Sequence, residues 1–129
     1  MNNTEKIIWE VVEFHKNIEK WFQGTTENRD ILYRKLLSGF SKEFSMINAN
    51  GDTVTLSMLS DWLPTVFGKF PQRIIQVENI EVHHSAYHGV ATYIETQITD
   101  ETTTQRTSSA AFLLNQEKAF WLHLIERWI

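Results

Sequence analysis

The stretch Thr104–Ile129, TQRTSSAAFLLNQEKAFWLHLIERWI, decides the fold. Two apolar, β-rich segments flank the polar Asn115-Gln116-Glu117-Lys118, so the chain turns back on itself there as a hairpin. If Gln116-Glu117 form a two-residue turn, Phe112 faces Trp121, Ala110 faces His123 and Arg106 faces Arg127. One face then carries Arg106, Ser108, Ala110, Phe112, Trp121, His123 and Ile125. The other carries Ala111, Leu113, Phe120, Leu122 and Leu124. A register slip of one residue would exchange the faces.

Upstream of the hairpin the period changes. Glu5–Phe22 places Ile7, Ile8, Val11, Val12, Ile18, Trp21 and Phe22 close to a 3.6-residue repeat, with Thr4 as a cap and Gly24 as a stop. A second helix is predicted from about Asn28 to Leu37, with Ile31, Leu32 and Leu36 on its stripe and Gly39 ending it. Phe40–Ile47 and Thr53–Leu56 read as strands around the tight-turn signal Asn50-Gly51. Ser57–Phe67 is a third helix whose stripe is Leu59, Trp62, Leu63, Val66 and Phe67. Pro64 requires either a kink or a start at Ser60. Arg73–Ser85 alternates imperfectly, which predicts a bulge, and His88–Thr99 alternates well. Asp100–Thr104 is a polar loop. The order is α-α-β-β-α-β-β-β-β, an α+β chain with helices covering an antiparallel or mixed sheet.

Composition bounds the function. Residues 1–129 form one domain on length, able to bury roughly two-thirds of its unfolded surface. The net charge of −4, from 16 acidic and 12 basic residues, argues against nucleic acid and anionic membrane as partners. There is no cysteine, hence no disulfide, thiol nucleophile or thiolate metal site. The start has neither a basic n-region nor an apolar h-region, and no apolar run reaches a membrane span, so the expected location is the cytoplasm.

Trp121-x-His123-Leu124-x-Glu126-x-Trp128, the preceding strand Arg106-Thr-Ser-Ser-Ala-Ala-Phe112, and the join Leu36-Leu37-Ser-Gly-Phe40 resemble the nuclear-transport-factor-2-like superfamily. So do Phe44-Ser-Met-Ile47, Asn50-Gly51-Asp52 and the short helix after that turn. The superfamily includes SnoaL-like polyketide cyclases and ketosteroid isomerase. The resemblance implies a cystatin-like sheet curled into a cone, closed by the N-terminal helices. It also implies a pocket for a small, rather apolar molecule, and dimers formed sheet to sheet.

In ketosteroid isomerase the first helix presents a hydroxyl donor at about the place of His15. The resemblance therefore puts a donor or base there; a core-edge histidine bonded to a backbone carbonyl satisfies the same pattern. The isomerase's strand base has no counterpart, since Phe44-Ser45-Met46-Ile47 contains no acid and Glu43 alternates to the other face. His123 is the second candidate for catalysis, and a satisfied core histidine explains it equally. For ligand binding the candidates are Trp62 and Phe67 on the third helix, Tyr93 and Glu95 on one strand face, and Arg106. Arg106 can hold a ligand carboxylate, pair with Glu126 or Glu95, or end an exposed strand. His83, His84 and His88 make no metal site, because adjacent strand residues point to opposite faces. No cofactor motif is present.

Three functions fit. The first is a SnoaL-like domain that binds a small, largely apolar ligand. The second is a lyase, isomerase or cyclase using His15 with a second polar group, which requires two titratable groups together in the pocket. The third is a non-catalytic dimeric interaction module whose pocket is plugged by aromatics. Both faces of the last hairpin are apolar, which predicts a homodimer through the sheet.

Overall fold

A computed structural model describes residues 1–129, and the nine elements follow in the order read from the sequence. Helix α1 (Asn3–Gln23) is capped by Asn2, two residues before the expected cap. Asn2 Oδ1 accepts from the Glu5 amide at 2.8 Å while Glu5 Oε1 accepts from the Asn2 amide at 3.1 Å, a reciprocal box that Thr4 could not form. Gly24 ends α1 with φ +74°, and the chain there lies against Gly68. A Cβ on Gly24 would sit 3.1 Å from the Gly68 Cα, so the closeness of the two helix ends depends on glycine.

Helix α2 (Arg29–Ser38) buries Leu32 and Leu36, four residues apart on one face. Ile31, expected on that stripe, is 60% exposed, because one residue step turns it about 100° away. Strands β1 (Phe40–Ile47) and β2 (Thr53–Thr55) flank the Asn-Gly turn, and Thr55 caps α3 (Leu56–Val66) through a 3.2 Å bond from the Met58 amide. Pro64 lies inside α3, so the Ser60 carbonyl loses its helical donor. The Tyr33 hydroxyl replaces that donor at 2.9 Å, and the Trp21 indole satisfies the Leu63 carbonyl at 2.7 Å. No helix is long and apolar enough to cross a membrane.

Strands β3 (Ile74–His84), β4 (His88–Thr99), β5 (Thr102–Leu114) and β6 (Ala119–Trp128) complete one six-stranded sheet of order β2-β1-β6-β5-β4-β3. Only β1 and β6 run parallel; every other pair is antiparallel. The expected bulge in β3 falls between Glu78 and Glu81, with Asn79 at φ +57°. The expected polar loop at Asp100 shrinks to a tight connection, with Thr99 pairing directly with Thr102.

The last hairpin corrects the expected register. Phe112 does face Trp121, but an extra residue, Leu122, then enters β6, so His123 pairs with Ala111, Leu124 with Ala110 and Trp128 with Arg106. Beyond this bulge the faces exchange. Leu124 and Glu126 join Arg106, Ser108, Ala110, Phe112 and Trp121 on the inner face, and His123 and Ile125 turn outward. The inner face meets α1 in a core around Ile7, Val11, Phe40, Phe44, Phe112 and Trp121. A second core, around Trp21, Phe22, Leu36 and Leu63, joins the helices to Ile75. The result is the curved, cystatin-like α+β arrangement.

Candidate functional site

Between these two cores the packing is incomplete. A cavity of about 150 Å³ lies between Phe14, His15, Ile18 and Phe22 of α1, Leu59 and Trp62 of α3, and the inner face of the sheet. The sheet contributes Phe40, Phe44 and Met46 from β1, Tyr93, Glu95 and Gln97 from β4, Arg106 from β5, and Trp121, Leu124 and Glu126 from β6. An outer hollow of about 400 Å³ shares Met46, Leu59, Trp62, Arg106 and Glu126 with it and adds Asn48, Val54 and Met58. Together they form a chamber with a wider mouth under α3.

The fixed point of the chamber is His15. Its Nδ1 lies 2.6 Å from the Val11 carbonyl, one turn earlier in α1, and its Nε2 lies 3.0 Å from Glu95 Oε1. A carbonyl only accepts, so Nδ1 carries a proton. Gln97 Nε2 donates to the other Glu95 oxygen at 2.6 Å, which favours the carboxylate form. Nε2 must then be protonated too, and the pair is an imidazolium with a carboxylate. Burial pushes His15 toward neutrality, but the Glu95 hydrogen bond and charge outweigh it and raise its pKa. Burial likewise opposes the charge on Glu95, but the bond and charge of His15, with Gln97 and Arg106, lower it to about 2. The two directions agree on one ion pair.

The rest of the polar lining is less settled. Glu126 Oε1 is 3.6 Å from Arg106 NH1, longer than a good hydrogen bond. Burial, followed by the nearby Glu95 charge, raises the Glu126 carboxyl above its ordinary value, and Arg106 only partly offsets this. The Tyr93 phenol is pushed well above its usual range, chiefly by burial and then by Glu95 and Glu126. Ser108 faces the phenol, yet neither hydroxyl has a partner with hydrogen-bond geometry. Arg106 Nε and Trp121 Nε1 are also buried without partners.

The structure brings His15, Trp62, Tyr93, Glu95 and Arg106 together around the chamber. It places Phe67 elsewhere: α3 ends at Val66, Phe67 turns into extended backbone, and its ring lies 4.6 Å from that of Trp21 under the Arg29 guanidinium. It also separates His123 from the chamber. The Leu122 bulge puts His123 on the outer face, with Nδ1 3.2 Å from Ser45 Oγ. Glu126 and Gln97 complete the lining; Gln97 follows Tyr93 and Glu95 on one strand face, whereas the Leu122 bulge that turns Glu126 inward has no local sign in the sequence. No three metal-ligating side chains come together.

No family model matches the chain, and no curated protein matches it. Solved structures do. An NTF-2 like protein of unknown function from Pseudomonas aeruginosa superposes with a TM-score of 0.89 at 21% identity, over 96% of this chain and 98% of that one. The fold is nuclear-transport-factor-2-like. An NTF2-like-family protein from Streptomyces avermitilis, proposed to be a dehydratase, matches with a TM-score of 0.79 at 9% identity, over 98% and 97% of the two chains. The CamKII hub homology domain of Chlamydamonas reinhardtii matches with a TM-score of 0.73 at 12% identity, over 98% of each. At these identities the likeness carries the NTF2-like fold and no activity.

Proposed function

We propose that this NTF2-like domain, residues 1–129, binds a small, largely apolar molecule in the chamber beneath α3. One observation carries the reading: an apolar cavity of about 150 Å³ is built directly against a fully committed His15–Glu95 pair. Eleven of its 16 lining residues are hydrophobic, so the ligand's bulk is apolar. An engineered apolar cavity of about that size holds benzene. Trp62, Tyr93 and Arg106 form its wall, and Glu95 orients His15.

The enzyme reading has less support. Titratable groups do gather here, but both His15 nitrogens and both Glu95 oxygens already have partners, so neither is free to move a substrate proton. A pocket plugged by aromatics, which a pure interaction module requires, does not describe an open chamber. Self-association is a separate and compatible proposal. Leu113, Phe120, Leu122 and Ile125 lie half-buried on the outer face of β5 and β6, and no helix covers them. A second copy laid against this face would bury them.

Benzene tests the binding reading. Methyl-labelled protein titrated with benzene should shift the methyls of Ile18, Met46, Leu59 and Leu124 and leave outer-face Leu122 unmoved. No shift up to the solubility of benzene would refute it.

A further inference from the structure

The wall of the cavity holds polar atoms that the protein leaves without partners. The Tyr93 hydroxyl, the Arg106 Nε and the Trp121 indole Nε1 are buried with no partner in hydrogen-bond geometry, although Ser108 lies beside the Tyr93 hydroxyl, and all three side chains line the cavity. The Ser108 hydroxyl, opposite Tyr93 in the β4–β5 ladder, is a fourth. Such groups are few in folded proteins, and four beside one cavity ask for an explanation.

Their chemistry is one-sided. Indole and guanidinium N–H groups only donate, and hydroxyls donate as well as accept. The nearby acceptors are engaged or out of reach. Both Glu95 oxygens are taken by His15 and Gln97, and Glu126 approaches Arg106 through NH1, not Nε. No acceptor of the chain is in hydrogen-bond geometry with these four groups.

Charge narrows the choice further. Burial and the charges of Glu95 and Glu126 keep the Tyr93 phenol protonated. A ligand anion brought to the same wall would meet the same burial and the same two carboxylates, which Arg106 only partly offsets, whereas a neutral oxygen would not. A hydrocarbon would fill the space and leave the donors as they are.

We infer that the cavity takes a neutral ring compound carrying a hydrogen-bond-accepting oxygen, such as an aryl ketone, with that oxygen against Tyr93 and the ring among the apolar side chains. This rests on the reading of the chamber as a small-molecule site and adds the ligand's chemical class. The ring occupies the deep cavity, and substituents extend past Leu59 and Trp62 into the outer hollow.

Three matched probes test it: acetophenone, ethylbenzene and benzoate, titrated by calorimetry near pH 7. Acetophenone should bind about tenfold more tightly than ethylbenzene, the ratio that one additional hydrogen bond produces. Benzoate should bind more weakly than acetophenone. Tyr93→Phe should bring acetophenone to the level of ethylbenzene, with an unchanged far-ultraviolet circular dichroism spectrum showing that the variant is folded. Equal affinities for ketone and hydrocarbon in the wild type would overturn the inference and leave the binding reading standing. So would tightest binding of benzoate, or a preference that survives in Tyr93→Phe. Should Tyr93→Phe not fold, the wild-type ratio alone decides. Failure of all three probes, together with benzene, would remove the binding reading itself.

Discussion

Glu95→Gln should expose what the buried ion pair contributes. The folded carboxyl titrates at about 2 against an ordinary 4.5, a gap of about 2.5 pH units. At about 1.4 kcal/mol per unit this is about 3 kcal/mol of stability at neutral pH. Because the folded value is depressed, that contribution is complete above pH 4.5 and fades as pH falls toward 2. His15 behaves in the opposite sense. Its folded value is raised, so its contribution is complete below about 6.5 and fades as pH rises through the folded value. Gln at position 95 removes the charge and keeps only an amide acceptor. Burial then dominates at His15, which becomes neutral near pH 7. Urea unfolding at pH 7 should show a loss of about 3 kcal/mol, within the range for breaking a buried pair. As pH rises from about 6.5 through the raised His15 value the wild type should lose stability, and the variant should not. Nitrogen NMR of the imidazole gives an independent readout, with both ring nitrogens protonated in the wild type at pH 6.5. A variant within about 1 kcal/mol of wild type at pH 7, or a neutral His15 in the wild type at pH 6.5, would refute the reasoning.

Glu10 predicts a stabilising change. Its carboxyl packs against Gly39, and burial, with Lys118 opposing and Glu13 adding, lifts its pKa to about 7. A raised acid costs nothing below 4.5 and accumulates its cost as pH climbs to about 7. Glu10→Gln should therefore gain up to about 3 kcal/mol at pH 8 and almost nothing at pH 4; equal urea midpoints at pH 8 would contradict this. For the proposed dimer, sedimentation equilibrium at micromolar concentration should give twice the chain mass, and Leu122→Glu should halve it by burying an unpaired charge. A wild-type mass of one chain would end that proposal.

The order of elements was legible because each leaves a local periodic trace: the α1 stripe, the Asn50-Gly51 turn and the alternation of β4. The hairpin register was legible as far as Trp121, since the two-residue turn sets it. It stopped being legible at Leu122. A bulge costs one residue of alternation and has no composition of its own, yet this one decides that Glu126, not His123, shares a face with Arg106. Phe67 was misplaced for a related reason: the stripe continues through it, but the helix does not. The parallel pairing of β1 with β6 joins residues some 80 positions apart, such as Phe40 and Trp121, and leaves no local pattern.

Helix α3 has different attachments at its two ends. Its start continues directly from β2, its middle is tied by Tyr33 at the Ser60 carbonyl, and its last turn is tied by Trp21 and Arg29 to the other helices. It is thus a span fixed at both abutments, and such a span can bow but cannot swing like a lid. Traffic into the chamber then passes through rotation of the Leu59 and Trp62 side chains at mid-span. Rotamer changes of half-exposed side chains take picoseconds to nanoseconds, whereas hinge motions take microseconds to milliseconds. Ligands should enter and leave this chamber faster than they would through one closed by a hinged segment.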